Sequence, residues 1–296
     1  MKILCCDVPL GLSATSHSPE AIQGFIDEGF THFEIGIHDS LPDTASIDFS
    51  RLPANAETRA LIARRAGRGQ EERLTALQNE RISKLYENRL RPWSVHLPFG
   101  PGWDVAHPVR EERAAVCASL KRVMDCTADW GAKVYVLHGC LEPVKPEDRA
   151  LRMARSILSL RELSDYARGL GAAVALENLP RSCLANNSEE TLAMSEAAGD
   201  VPIVFDVNHL LGESHASFMR ALAKRVISTH LSDYDGVDER HLLPGEGIVP
   251  WKSVVTGLCE AGYRGPMLFE LRRGENGPYQ AREVLQAFLK ALARER

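Results

Sequence analysis

The 296-residue sequence has no stretch near the roughly 18–20 consecutive apolar residues that a membrane-spanning helix needs. Its first residues also lack the long apolar segment and small-residue cleavage site of a secretory signal. There is no basic surplus, because 35 lysines and arginines stand against 40 aspartates and glutamates, for a net charge of −5. These absences predict a cytoplasmic protein without a membrane partner, and they argue against binding to a nucleic-acid backbone.

Cysteine pairs with the spacing of metal or redox motifs are absent too. The seven cysteines are odd in number and scattered, and none forms a Cys-x-x-Cys pair. In a long chain without a secretory signal, this pattern predicts reduced thiols and small core residues rather than a disulfide framework. The apolar fraction of 44% is nevertheless that of a globular protein, which excludes general disorder.

What the sequence does contain is a repeated alternation of short apolar runs and longer helical patterns. Eight runs predict strands, and several are almost continuously hydrophobic, as parallel strands buried on both faces are. The runs are Lys2–Val8, His32–Ile37, Trp93–Pro98, Val134–Gly139, Ala173–Asn178, Pro202–Asn208, Val226–Asp233 and Pro266–Leu271. Helix starts are marked between them, for example by proline followed by acidic residues at Pro19-Glu20 and at Pro146-Glu147.

Eight βα repeats fit either a closed barrel or a doubly wound open sheet. No Gly-x-Gly-x-x-Gly motif follows the first predicted strand, so the dinucleotide-binding form of the open sheet loses its main support. We therefore predict the α/β class and a single (β/α)8 TIM barrel that spans residues 1–296 as one domain. The segment around 40–92 is longer than an ordinary crossover, and its charged middle has a helical pattern, which predicts a helical insertion or a long crossover there.

Residues that bind metals or transfer protons stand at the ends of the later predicted strands. They are His96, His138, Glu177, Asp206, His209, His230 and Glu270, while Glu34 lies near the end of the second strand. In a βα barrel the carboxyl ends of the strands form one mouth, so these side chains are expected to converge. Converging carboxylates repel each other unless a cation lies between them. A lone histidine or glutamate would suggest only a structural role, but this combination favours a divalent ion such as Mn²⁺, Mg²⁺, Co²⁺, Fe²⁺ or Zn²⁺.

At these residues the sequence resembles the xylose isomerase-like TIM barrels, the sugar phosphate isomerase/epimerase superfamily, over essentially its whole length. The matching segments are VHLPFG (95–100), VLHGC (136–140), ALENLP (175–180), VFDVNHL (204–210), THLSD (229–233), HLLPGEGIVPW (241–251) and FELR (269–272). The resemblance implies one divalent metal ion held by Glu177, Asp206, His230 and Glu270. It also implies that Glu177 and Glu270 form the catalytic acid–base pair, as in the ketose 3-epimerase branch.

The resemblance further implies a small, sugar-like substrate. His209 matches a histidine that contacts substrate oxygen, and His96 and His138 are expected to donate hydrogen bonds to substrate hydroxyls. His241, where the 3-epimerases carry arginine, is predicted as a fourth substrate-binding residue. One glutamate removes the proton beside the carbonyl and the other returns it. The predicted protein is thus a metal-dependent isomerase or epimerase of a sugar or sugar-derived ketose, without a nucleic-acid partner, and assembly into a homo-oligomer stays open.

Three other functions use the same residues. His241 and Glu239 resemble the apurinic/apyrimidinic endonucleases of the superfamily, which are zinc-dependent phosphodiester hydrolases. Those enzymes hold three zinc ions with an aspartate at the position of Glu239 and histidines at the positions of His96, His138, His209 and His241. A keto-sugar or inosose dehydratase would keep the same ligand set. A sugar-binding barrel without turnover is the third alternative, and the intact four-ligand set argues against it.

Overall fold

The computed structural model describes residues 2–3, 6–13, 19–37, 90–271 and 279–294. The strands in these ranges are β1 (Lys2–Ile3), β2 (Cys6–Asp7), β3 (Leu10–Ser13), β4 (His32–Gly36), β5 (Arg91–His96), β6 (Val134–His138), β7 (Ala173–Glu177), β8 (Ile203–Asp206), β9 (Val226–His230) and β10 (Met267–Phe269). The α-helices there are α1 (Pro19–Asp27), α2 (Arg110–Thr127), α3 (Arg149–Gly169), α4 (Ser188–Ala197), α5 (His215–Leu222), α6 (Trp251–Glu260) and α7 (Ala281–Ala293).

Eight of these strands form one parallel sheet in the order β10-β3-β4-β5-β6-β7-β8-β9. The sheet closes just beyond β9, where Leu231 forms a parallel bridge with Phe269. The backbone N–H of Leu231 donates to the carbonyl oxygen of Leu268 at 2.8 Å, and that of Glu270 donates to the carbonyl of Leu231 at 3.2 Å. The strands and the helices that alternate with them confirm the predicted (β/α)8 TIM barrel.

The alternation of side chains along the strands determines which residues reach the mouth. In β6, Tyr135 and Leu137 belong to the large apolar cluster that includes residues of the surrounding helices, whereas Val134 and Val136 belong to a separate small cluster with residues of neighbouring strands. Side chains two residues apart share a face of a strand. His138, two residues beyond Val136, therefore continues the face of the small cluster and reaches the carboxyl end of the barrel.

The predicted first strand, Lys2–Val8, is wrong as a barrel strand. Its two ends, β1 and β2, pair with each other in a separate antiparallel sheet, and β3 is the strand that joins the barrel. The sequence LGLS of β3 is short and contains Gly11, where an added Cβ would lie only 3.1 Å from the Cβ of Pro266. A side chain at this position would crowd Pro266, directly before β10, which favours a glycine in a strand that an apolar-run criterion passes over.

The helices begin close to the expected positions. The first helix, α1, begins at Pro19, and a single 3₁₀ turn, Pro146–Asp148, leads into α3. The structure adds α5, whose N-terminus is capped by the side chain of Ser214. The predicted insertion around 40–92 falls almost entirely outside the described residues, so it and the one-domain span of 1–296 stay predictions.

One cysteine departs from the expectation of reduced thiols. Cys117, Cys126, Cys140 and Cys183 are free, as predicted, but Cys259 takes part in a disulfide bond. Spacing along the chain could not show this, because a disulfide depends on which side chains meet in the fold.

Across the described ranges, no helix combines the length and the apolar character that crossing a membrane requires.

Candidate active site

The structure brings all the sequence-predicted site residues together at the carboxyl-terminal mouth of the barrel. A cavity of about 310 Å³ opens there. Its lining includes Glu177, Glu270 and the four predicted substrate-binding histidines, His96, His138, His209 and His241. Asp206 and His230, at the ends of β8 and β9, are completely buried beside it.

Four residues form what we call the inner cluster: Glu177, Asp206, His230 and Glu270. One donor atom from each lies within 4.8 Å of the others. The Nδ1 atom of His230 lies 2.9 Å from Oε1 of Glu177, 3.2 Å from Oε2 of Glu270 and 3.9 Å from Oδ2 of Asp206. Three carboxylates and one imidazole nitrogen thus surround a single point at the ends of four strands.

Two carboxylate oxygens of the inner cluster are buried without a hydrogen-bond partner in the described structure, Oε2 of Glu177 and Oδ2 of Asp206. The first lies 3.1 Å from Nε2 of His138 and 3.3 Å from Nε2 of His96, but without hydrogen-bond geometry. Burial raises the pKa of Asp206 to about 6, because the nearby histidines offset its effect only in part. Unsatisfied buried carboxylate oxygens are costly, and a bound cation would satisfy them, so these residues fit a metal ion.

Glu34 orients the histidine of the inner cluster. The Nε2 atom of His230 lies 3.1 Å from Oε1 of Glu34, and Ser94 Oγ donates to Oε2 of Glu34 at 2.6 Å. Burial alone would raise the pKa of Glu34, but His230 outweighs it and the net shift is downward. With Nε2–H donating to Glu34, Nδ1 is left to face the cluster, as in the carboxylate–histidine pairs behind metal ligands. Sequence reasoning placed Glu34 near a strand end but gave it no role.

Asn178, directly after Glu177, is a second residue that the sequence did not reveal. Its side-chain Nδ2 donates to the carbonyl oxygen of Asp206 at 2.9 Å, and its Oδ1 accepts from the backbone N–H of Asp206 at 2.9 Å. Its own carbonyl oxygen lies 2.9 Å from Nδ1 of His209. Asn178 thus holds the end of β8 in place at Asp206 and sets the orientation of His209. Only its place beside Glu177 in the segment ALENLP could have indicated such a role.

His96 and His138 form one wall of the cavity. Their ring centroids lie 5.0 Å apart, and the exposed ring of Phe99 stacks on His138 with centroids 4.3 Å apart and planes inclined by 28°. Together with Glu177, the two histidines offer donor atoms close enough for a second metal ion. This wall therefore combines hydrogen-bonding groups with an apolar edge.

We call His209, Glu239 and His241 the outer group, because two of them lie in the long loop after β9. Nε2 of His209 lies 3.1 Å from Oε2 of Glu239, and Nδ1 of His241 lies 3.2 Å from the carbonyl oxygen of Glu270. The pKa of Glu239 is lowered to about 2, chiefly by the hydrogen bond from His209. The three donor atoms again lie within 4.8 Å of one another, so this group is a third set of candidate ligands.

The segment HLLPGEGIVPW folds around the buried carboxylate of Asp233. Asp233 accepts hydrogen bonds from Gly245 N at 2.7 Å, from Val249 N at 3.0 Å and from the indole Nε1 of Trp251 at 2.9 Å. A Cβ at Gly247 would overlap the backbone of Tyr234, so only glycine fits there. The carboxylate therefore fixes the loop that carries Glu239 and His241 of the outer group.

Comparison with known proteins agrees with the barrel fold. A family model described as a xylose isomerase-like TIM barrel matches residues 26–292. The inosose isomerase of Bacillus velezensis is 29% identical over 185 residues, which cover 58% of this chain and 65% of that protein. The D-psicose 3-epimerase of Agrobacterium fabrum is 26% identical over 188 residues, 60% of this chain and 64% of that protein. Each alignment thus spans less than two thirds of the relative's own length.

Among solved structures, the crystal structure of IOLI protein with a binding zinc atom superposes with a TM-score of 0.68 at 18% identity, over 96% of both chains. A likeness at this level of identity establishes the shared barrel and leaves the chemistry to the residues themselves.

Proposed function

Because the chain belongs to the xylose isomerase-like TIM barrel family, we propose that it is a divalent-metal-dependent isomerase or epimerase. Its substrate is a sugar or sugar-derived ketone, and the reaction moves a proton at the carbon beside the carbonyl. The activities of its relatives, inosose isomerase and D-psicose 3-epimerase, support this reaction class. The 310 Å³ cavity, lined by histidines and glutamates, suits a substrate of monosaccharide size with many hydroxyls.

The observation that carries the proposal is the convergence of four donor atoms in the inner cluster, where two carboxylates each have a buried oxygen without a hydrogen-bond partner. Glu177, Asp206, His230 and Glu270 hold the metal ion. Once bound, such an ion acts as a Lewis acid toward negative charge on the substrate's carbonyl oxygen. A set of three carboxylates and one imidazole suits Mn²⁺, Mg²⁺, Co²⁺, Fe²⁺ or Zn²⁺.

The two glutamates of the inner cluster are the proposed acid–base pair. Burial disfavours the charged form of Glu177, but His230 and His138 outweigh it and hold its pKa well below the usual range, so this carboxylate is ionised and can accept a proton. Glu270 reaches the same point from another strand end, and its side chain is 31% exposed toward the cavity. Two carboxylates beside one reacting carbon allow one to remove the proton and the other to return it.

The remaining cavity residues position the substrate. His96, His138, His209 and His241 line the cavity and donate hydrogen bonds to substrate hydroxyls, while Phe99 provides an apolar edge beside His138. Asn178 keeps His209 from rotating, because its carbonyl oxygen fixes Nδ1 of that ring. The substrate is thereby held with its carbonyl toward the inner cluster.

Solvent exchange tests the reaction class. The metal-loaded protein is incubated in deuterated water with a panel of ketoses and inososes, and deuterium is expected at the carbon beside the carbonyl of a substrate. Asp206→Asn should sharply lower both metal content and exchange, whereas Asp200→Asn, an exposed aspartate paired with Arg225, should change neither. Absence of exchange across the panel with metal-loaded protein would refute the proposal. A dehydratase would show the same proton removal followed by net loss of water from the substrate.

A second candidate function is metal-dependent hydrolysis of a phosphodiester. Its support is the presence of three ligand groups at one mouth: the inner cluster, His96 and His138 with Glu177, and the outer group. A zinc-loaded protein that cleaves DNA at abasic sites, with no solvent exchange on any ketose, would favour this function. His241→Ala should then abolish cleavage, because it removes a ligand of the outer group.

A further inference from the structure

The guanidinium of Arg181, in the loop after β7, is surrounded by carboxylates at the mouth of the barrel. It binds Glu142 in a bidentate manner, with Nε and one terminal nitrogen at 3.0 Å and 2.9 Å from Oε2 and Nε at 3.2 Å from Oε1. Its other terminal nitrogen lies 2.8 Å from Asp238 Oδ1 and 3.4 Å from Glu239 Oε1. A bidentate arginine in a network with several carboxylates is the kind of ion pair that holds its geometry.

The backbone of Arg181 is held in an unusual conformation that keeps its side chain in this position. Its φ is 51°, in the left-handed region that residues other than glycine rarely adopt. The side-chain amide of Asn186 donates to the carbonyl oxygen of Arg181 at 2.7 Å, and Ser182 donates to Glu142 through both its N–H and its hydroxyl. The loop is therefore built around this arginine.

Glu239 is shared between Arg181 and the outer group. Its Oε1 faces the guanidinium, while its Oε2 lies 3.1 Å from Nε2 of His209. Glu239 is the only anionic member of the outer group, since His209 and His241 are neutral when they bind a metal. The arginine thus occupies the carboxylate that a cation at the outer group would need most.

The inner cluster has no permanently charged side chain of this kind. Within the described part of the chain, no lysine or arginine pairs with Glu177, Asp206 or Glu270, and two of their oxygens lack a hydrogen-bond partner. The contrast lies in the source of positive charge. The outer group has a permanent positive charge beside it, on Arg181, whereas among the described residues the only cationic side chains next to the inner cluster are histidines, which give up their charge when they bind a metal.

We infer that the Arg181 guanidinium stands in for a metal cation beside Glu239 and keeps the His209–Glu239–His241 group free of a divalent ion. A divalent ion at the outer group would lie close to a fixed positive charge, and repulsion between the two is stronger at a protein surface than in bulk water. It would also have to compete with the guanidinium for Glu239. The mouth is therefore limited to ions at the inner cluster and at the neighbouring His96–His138–Glu177 group. This inference concerns metal stoichiometry and stands independently of the proposed reaction.

The test compares zinc content per chain in variants of the full-length protein. Arg181→Gln removes the charge, Arg181→Lys keeps it, and Arg225→Gln removes a similar arginine that is held by Glu196 and Asp200 away from the cavity. Each protein is equilibrated with the same series of buffered free zinc concentrations and measured by elemental analysis. Arg181→Gln should bind one more zinc ion per chain than the wild type, and the Lys and Arg225 variants should match the wild type. Adding His241→Ala to Arg181→Gln should remove the gain.

Equal zinc content in Arg181→Gln and the wild type would overturn the inference. So would a loss of one ion when His241→Ala is made in the wild-type background, because the outer group would then already hold zinc. That second comparison leaves Arg181 intact and remains decisive if Arg181→Gln does not fold. Arg181→Asn, which tolerates positive φ better, provides a further uncharged variant. A failure of the proposed function would be seen in a different measurement. The protein would then show no solvent exchange on any substrate even with a metal ion bound at the inner cluster.

Discussion

The inner cluster and the mouth around Arg181 are both rich in glutamate and histidine, yet they satisfy their carboxylates differently. In the inner cluster three carboxylates meet one imidazole, and two of the buried oxygens have no hydrogen-bond partner among the described residues. Around Arg181, three carboxylates surround one guanidinium, and each lies within 3.4 Å of it. Residue type alone therefore does not identify a metal site in this barrel. The two regions differ in whether an arginine pairs with the carboxylates.

The two regions also differ in how their side chains are positioned. The inner cluster lies on strand ends, where sheet register fixes each residue; Asp206, for example, pairs directly with His230 across β8 and β9. The residues around Arg181 lie on loops, whose conformation depends on polar anchors such as Asp233 and on the ion pairs of Arg181. Strand-borne groups hold their geometry for chemistry, and loop-borne groups can shape what enters.

Glu270→Gln should produce the largest effect and separate the two regions most clearly. At saturating metal, kcat for the exchanged substrate should fall about 10²–10⁴-fold, because a general acid–base group is lost while its oxygen ligand is kept. Glu239→Gln, the same change in the outer group, should lower kcat less than about tenfold on the same scale. Both rates are measured by deuterium incorporation. Equal losses in the two variants would contradict a distinct catalytic role for the inner cluster.

Asp233→Asn should destabilise the fold by about 3 kcal/mol, because the amide can no longer accept all the hydrogen bonds from Gly245, Val249 and Trp251. Urea unfolding measures the change. Asp235→Asn serves as the control in the same loop, since Asp235 is exposed and its ion pair with Arg240 should contribute less than about 1 kcal/mol. If the Asp233→Asn variant had the same free energy of unfolding as the control, the long loop after β9 would not depend on this carboxylate.

Much of this site was predictable because its residues lie at the ends of strands that can be recognised from the sequence. A βα barrel collects its strand ends at one mouth, so His138, Glu177 and Asp206 could be placed together from their positions alone. The part of the site that depends on contacts between distant segments was not predictable. Glu34 meets His230 across 196 residues of sequence, and nothing in the local pattern of either strand indicates that pair.

The first barrel strand and Arg181 were missed for related reasons. The apolar run at the N-terminus obscured β3, whose glycine packs closely against Pro266 from the far end of the sequence. Arg181 looks like an ordinary surface arginine in sequence. Its importance comes from a positive φ and from three carboxylates that two other loops supply. Loop conformation of this kind is decided by tertiary contacts rather than by local preference.

Glu34→Gln should weaken metal binding at the inner cluster by about 10–100-fold, as is typical when the partner behind a metal-binding histidine is altered. The amide can still contact Nε2 of His230, but it lacks the charge that holds the ring in one protonation state. Titration with zinc, followed by calorimetry, measures the affinity. Ser94→Ala, which leaves the Glu34 carboxylate in place, should have a smaller effect. Equal affinities in all three proteins would show that His230 needs no partner to orient it.

Phe99→Leu should have the smallest effect and act at the boundary between the two regions. The ring is 43% exposed at the cavity edge and stacks on His138, so it can contact the apolar face of a bound sugar without touching the reacting carbon. Loss of an aromatic contact typically costs about 0.5–1.5 kcal/mol, so KM should rise about two- to tenfold. Because the contact is the same before and during the reaction, kcat should not change. Val109→Ala, at another exposed apolar side chain, should change neither parameter. A fall in kcat at constant KM would instead mean that Phe99 holds His138 in its place beside Glu177.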